Sequence, residues 1–217
     1  MNLAIFDLDN TLLAGDSDYL WGQFLVERGR VNRDTYEAAN ARFYEDYRQG
    51  VLDITAFLEF SLAPLAAYAP DDLFRWREEF IAEIIRPLLL GKAHALIQSH
   101  IDRGHTPIII TATNHFITAP IAELYGISHL LATLPEWLEG RYTGRFVGVP
   151  CFQEGKVTRL HEWLRNHPHD LAGSYFYSDS RNDIPLLEQV GFPVAVDPDE
   201  ILRQTAFERN WPVISLR

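Results

Sequence analysis

Leu3-Ala4-Ile5-Phe6, followed at once by Asp7-Leu8-Asp9-Asn10-Thr11, is an apolar tetrad that breaks into a polar loop. Four apolar residues without alternation read as a strand buried on both faces, which is the habit of a parallel sheet. In open α/β sheets, ligands collect at the carboxyl ends of such strands. The carboxylates of Asp7 and Asp9 stand at that end.

Outward from this strand the pattern changes twice. Between Asp16 and Arg86 glycine is scarce and aromatic residues are many, and Trp21, Phe24, Leu25 and Phe43, Tyr44, Tyr47 recur at helical spacing. Three or four amphipathic helices are expected there, broken near Gly29-Arg30, Gly50 and Pro64–Pro70, with no strand. After Pro87 an alternation resumes: helix 93–103, strand 107–110, helix 119–125, strand-like sequence over 129–150 with a hairpin at 139–144, helix 156–166, strand 174–177, a helix from Asp183 and a strand at 193–196. Such alternation predicts an α/β fold with right-handed crossovers. The expected domains are a core of 1–15 with 87–217 and a helical cap of 16–86, inserted after the first strand.

The chain has 217 residues and a formal net charge of -11, so its average field repels nucleic acid. One cysteine, Cys151, allows neither an internal disulfide nor a cysteine-built zinc site and fits a cytoplasmic location. The sequence reads as having no signal peptide and no membrane span, its apolar runs being too short. Oligomeric state is not legible.

Four polar sites carry candidate chemistry. Asp7 can attack phosphorus as a nucleophile, while Asp9 can protonate a leaving alcohol and then deprotonate water. A turn or helix cap explains the same pentapeptide. Thr111, directly after Ile108–Ile110, can hold phosphoryl oxygens through its hydroxyl and the backbone N–H groups around Ala112, or can cap a helix. Lys156 can neutralise a transferring group or simply be solvated. Asp179 and Asp183, four apart in a Ser/Asn-rich loop after an apolar strand, suit Mg²⁺, or equally a helix cap. Like charges about 4 Å apart repel by about 4 kcal/mol at an effective dielectric near 20. If these loops converge, Lys156 and a metal cation are both needed.

Taken in order, Asp7-Leu8-Asp9-Asn10-Thr11-Leu12-Leu13, Thr111, Lys156 and Ser178-Asp179-Ser180-Arg181-Asn182-Asp183 resemble the motif set of the haloacid dehalogenase superfamily, in its phosphoserine-phosphatase-like branch. The resemblance covers essentially the whole chain. It implies a Rossmann-like three-layer core with a mainly parallel sheet and a small all-helical cap. It also implies Asp7 as nucleophile, Asp9 as acid and base, and Thr111, Ala112 and Lys156 on phosphate. Mg²⁺ would be held by Asp7, the Asp9 carbonyl and Asp179, with Asp183 behind. The chain departs from the pattern at Ser178, where glycine is common, and at Thr111-Ala112-Thr113, where phosphoserine phosphatases often carry Ser-Gly-Gly. Asp16-Ser17-Asp18-Tyr19-Leu20-Trp21 is closer to a subgroup with members acting on histidinol phosphate.

The implied activity is Mg²⁺-dependent hydrolysis of a small-molecule phosphate ester, histidinol phosphate or phosphoserine. A phosphotransferase or mutase, or a phospho-switch without turnover, is the alternative. Asp16, Asp18 or Glu27 can pair with a substrate amine. Trp21 or Tyr44 can stack on a ring, although Trp21 equally reads as helix core. His115, close after Thr111, can touch substrate or be solvated.

Overall fold

A computed structural model describes residues 2–217. Its centre is a seven-stranded sheet in the order β4-β3-β2-β1-β5-β6-β7. The strands are β1 (Asn2–Phe6), β2 (Thr106–Asn114), β3 (His129–Leu138), β4 (Arg141–Val147), β5 (Asp170–Ser178), β6 (Phe192–Val196) and β7 (Val213–Ile214). All neighbours are parallel except β3 and β4. β1 lies between β2 and β5, so Leu3 to Phe6 are fully buried, as their unbroken apolarity requires.

Four helices follow β1 in the inserted segment: α1 (Ser17–Glu27), α2 (Arg33–Gln49), α3 (Ile54–Ala67) and α4 (Pro70–Phe80). Asp16, Asn32 and Asp53 cap the first three by accepting backbone N–H bonds. Pro64 lies inside α3 rather than breaking it; the break falls at Tyr68 and Ala69, and Pro70 opens α4, where its missing N–H costs nothing. The chain returns through a π-helical turn, Ile81–Ile85, and a 3₁₀ turn, Arg86–Leu88. Outgoing and returning segments run side by side, bridged between Leu13 and Leu89.

The second half supplies α5 (Gly91–Asp102), α6 (His115–Leu124), α7 (Glu154–Leu164), the short α8 (Ile184–Leu187) and α9 (Glu200–Arg209). The helix expected from Asp183 is only this short turn, preceded by a 3₁₀ turn over Arg181–Asp183. α9 and β7 carry no strong sequence signal and extend the fold beyond the expected strands. The 139–144 hairpin is tighter than expected: Glu139 and Gly140, both at positive φ, make the turn, and Arg141 already belongs to β4.

One apolar cluster joins the inserted helices to one face of the sheet, with Leu25, Leu58 and Trp76 alongside Phe6, Phe116 and Val196. A second cluster, including Ile5, Leu160 and Leu202, fills the other face. The result is a three-layer α/β core with inserted helices over the carboxyl end of β1.

Candidate active site

Asp7 is the first residue beyond β1. Its N–H donates to the Tyr177 carbonyl at 2.9 Å, so it still follows the sheet while its side chain leaves it. The Leu8 carbonyl then accepts from the N–H groups of Leu12 and Leu13. Asn10 takes a left-handed φ of 57°, a conformation asparagine tolerates. The loop thereby turns back over the strand end.

Lys156 reaches this point from α7. Gly155 is fixed by close approach: a Cβ there would stand 2.0 Å from the Pro150 carbonyl oxygen. That tight turn aims Lys156 inward, where it is 2% exposed. Its Nζ lies 2.8 Å from Asp7 Oδ1 and 2.7 Å from Asp183 Oδ1. Ser178 Oγ donates to Asp183 Oδ2 at 2.7 Å. Asp179 Oδ1 accepts from Thr11 Oγ1, and the Asp179 N–H donates back to that oxygen, both at 3.0 Å. Three remote loops thus meet at one edge of the sheet.

Asp9 is held from two sides. Ser17 N–H donates to its Oδ1 at 2.6 Å, and Thr113 Oγ1 donates to its Oδ2 at 2.7 Å. Burial raises its pKa to about 7, with Asp16 adding to the rise and the Ser17 and Thr113 bonds opposing it. A carboxyl poised there can give or take a proton near neutral pH. Thr111 is buried at 1% exposure and accepts the Thr113 N–H.

Burial also raises Asp7 to about 7, against the pull of Lys156, with Asp183 pushing the same way as burial. Burial would lower Lys156, but Asp183 and Asp7 outweigh it and keep the ammonium protonated. The 2.8 Å contact fits an ionised Asp7. Asp179 is raised well above the carboxylate range by burial and then by Asp7.

The charge balance bears on the metal. Lys156 is shared between Asp7 and Asp183, and Asp179 has only neutral partners, Thr11 Oγ1 among them. Among the described residues no three His, Cys, Asp or Glu side chains form a ready cage. A few oxygen donors with excess negative charge fit Mg²⁺, which keeps waters and uses one or two carboxylates. The donor set therefore fits the ion.

A cavity of about 570 Å³ opens from Asp7, Asp9, Thr111 and Ala112 toward the inserted helices. It is also lined by Asp16, Asp18, Tyr19, Phe43, Tyr44 and Phe57. Asp16 Oδ1 is committed to capping α1 through the Asp18 and Tyr19 N–H groups. Asp18 has one weak partner, Asn114 Nδ2 at 3.3 Å, and burial raises its pKa well above the usual range, with Asp16 and Asp9 adding to it. No Lys, Arg or His is among the residues that line this cavity.

Three expected substrate contacts lie elsewhere. Trp21 is 2% exposed and packs on Phe24, Phe80 and Phe116, because its side of α1 faces α4 and α6. His115 is exposed on the first turn of α6 and does not line the cavity. Glu27 lines a separate surface pocket. Thr11 and Thr113 carry more of the site than the sequence reading gave them. Thr113 was findable: two residues beyond Thr111 in an extended segment, it points to the same side.

Comparison with known proteins identifies the family. The model of the haloacid dehalogenase-like hydrolase family matches residues 4–188. The chain is 47% identical over 220 residues to a histidinol-phosphatase of Neisseria meningitidis serogroup C, covering 100% of this chain and 99% of the relative. It is 34% identical over 217 residues to phosphoserine phosphatase SerB1 of Mycobacterium tuberculosis, covering 99% and 70%. A crystal structure of a protein of unknown function from Bordetella pertussis superposes with a TM-score of 0.93 at 46% identity, covering 100% and 99%. A phospho-aspartyl intermediate analogue of phosphoserine phosphatase shares the fold, with a TM-score of 0.73 at 17% identity over 100% and 93% of the two chains. The chain belongs to the haloacid dehalogenase-like hydrolase family.

Proposed function

We propose that this chain, a phosphatase of that family, hydrolyses the phosphate ester of a small cationic amino alcohol, with histidinol phosphate as the best fit. The observation that carries the choice is the lining of the cavity. Beyond the Asp7 end it presents Asp16 and Asp18 and a wall of aromatic rings, with no cationic lining residue. Phosphoserine would bring a carboxylate to face those acids unpaired, at a large desolvation and repulsion cost. Histidinol phosphate brings an ammonium group and an imidazole, and no carboxylate. Relatives named for both activities are consistent with phosphate-ester chemistry, and the 47%-identical one is named a histidinol-phosphatase.

In this reading Asp7 attacks phosphorus and forms an aspartyl phosphate, while Asp9, carrying a proton, gives it to the leaving alkoxide oxygen. Asp9 then takes a proton from water, which attacks the aspartyl phosphate, breaks its P–O bond and releases inorganic phosphate and free Asp7. Thr111, the Ala112 backbone and Lys156 hold phosphoryl oxygens. The Asp7 carboxylate, the Asp9 carbonyl and Asp179 would hold Mg²⁺, with Asp183 fixing Lys156. That ion would neutralise charge on the phosphoryl group. Residues 1–15 and 87–217 act as catalytic core and 16–86 as cap, and exclusion of water by the cap protects the first step.

Phosphate release from histidinol phosphate and phosphoserine, measured side by side with Mg²⁺, tests the reading. A kcat/KM at least about 100-fold higher for histidinol phosphate is expected, since the missing counter-cation costs at least about 3 kcal/mol. Equal values, or a preference for phosphoserine, would remove it.

A further inference from the structure

The catalytic edge is reached from two spaces. The cavity described above sees Asp7 and Thr111. A separate outer cleft of about 1360 Å³ sees Asp179 instead, together with Asp197, Asp199 and Glu200. Tyr44 and Tyr47 of α2 line both spaces. We propose that the outer cleft is a port through which a divalent cation and its waters reach Asp179 without passing through the substrate cavity, with Tyr47 as the partition.

Tyr47 is fixed for such a role. Its hydroxyl lies 3.3 Å from Ser180 Oγ. Its carbonyl accepts from Asn182 Nδ2 at 3.1 Å. Its ring leans on Phe152, with centroids 6.0 Å apart. Gly50, with a φ of 73°, ends α2 so near Arg181 that a Cβ would meet Nε at 2.9 Å. The end of α2 is therefore seated on the loop that carries Asp179.

The sign of the cleft suits a cation. Five carboxylates line it against the three arginines Arg48, Arg181 and Arg217. Asp199 and Asp197 are satisfied mainly by backbone N–H groups of Arg181, Leu202 and Leu216, which leave their charge in place. Arg48 is paired with Glu45, while Arg217 bonds only the neutral Asn10 carbonyl and side chain and keeps its charge, as does Arg181, so the carboxylates still outnumber the arginines by two. A divalent cation is drawn to such a mouth. The cleft also reaches Asp179, which the substrate cavity does not.

The port rests on the proposed metal role of Asp179 but not on the choice of substrate. The test uses Mn²⁺ as an EPR-visible probe, with capture by metal-free protein and release into excess EDTA both timed. Ile201→Trp narrows the cleft from α9, where Ile201 is 45% exposed and away from the substrate cavity. Capture and release should both slow by about tenfold with Kd unchanged, because an obstruction on a path alters rates and not end states. Glu200→Arg, which adds no bulk at the core, should slow capture by about tenfold through repulsion. Normal rates in both variants, or Mn²⁺ affinity surviving Asp179→Asn, would each overturn the port. Mn²⁺ exchange is read without turnover, so failure to hydrolyse histidinol phosphate would remove the substrate reading and leave this one standing.

Discussion

Asp18 shows how one side chain can set specificity. Its single protein partner, Asn114 Nδ2 at 3.3 Å, is a long bond for a buried carboxylate. In the proposed function a substrate ammonium would repair that deficit with a charge-assisted bond worth about 1.5–3 kcal/mol. Asp18→Asn should therefore raise KM for histidinol phosphate by about 10- to 100-fold with kcat nearly kept. A kcat loss with unchanged KM, in steady-state assays, would place Asp18 outside substrate binding. In the proposed mechanism Asp7 belongs to the other class: Asp7→Asn should lower phosphate release by roughly 1000-fold or more, since removing a nucleophile is not compensated by its neighbours. Retention of wild-type turnover by that variant, confirmed free of parent enzyme by mass spectrometry, would end the phospho-aspartate mechanism.

Among the elements, α7 joins backbone geometry to chemistry most directly. Gln153 at a φ of 49° and Gly155 against Pro150 start the helix so that Lys156 enters the site buried. Gly155→Ala forces a clash with backbone, not with a movable side chain. It should cost about 1–3 kcal/mol of stability and displace Lys156. Chemical denaturation should show the first effect and a lowered kcat in the surviving fold the second; an unchanged midpoint would contradict this account of the turn. At this scale the sequence was legible wherever a single residue specifies geometry. Pro70 opening α4 is such a case, because proline fixes φ and lacks an N–H. The break expected over Pro64–Pro70 falls at Tyr68 and Ala69, with Pro64 itself still inside α3.

At the scale of the molecule, pH and metal are linked. Burial raises Asp7 and Asp9 to about 7, whereas unfolded aspartate titrates near about 3.9. The folded metal-free protein therefore binds more protons than the unfolded chain between about pH 4 and 7, so its stability is greatest below that window and falls as pH rises through it. Between pH 4.5 and 7.5 its Tm should fall by about 5 °C or more. Mg²⁺ at about 100 times its Kd should return about 2.7 kcal/mol at neutral pH. Scanning fluorimetry with and without Mg²⁺ checks both signs. A Tm that climbs with pH in the metal-free protein would mean these carboxyls are not held in the buried setting described.

Asp7, Lys156, Asp179 and Asp183 could be picked out before any coordinates, because each stands where an apolar strand ends or a helix begins, and local pattern specifies those positions. The α/β class follows from the same alternation, whereas the strand order is set by tertiary structure. What tertiary structure alone decided is which face of each inserted helix meets the sheet. Trp21 and Tyr44 share a helical, aromatic setting in sequence, yet one is core and the other lines the cavity. The division of the site into an inner cavity and an outer cleft by Tyr44 and Tyr47 arises only when α2 settles on the loop after β5. Apolar periodicity records that a face is buried, but not what it is buried against; that choice is made by packing between residues more than a hundred positions apart, such as Tyr47 and Ser180.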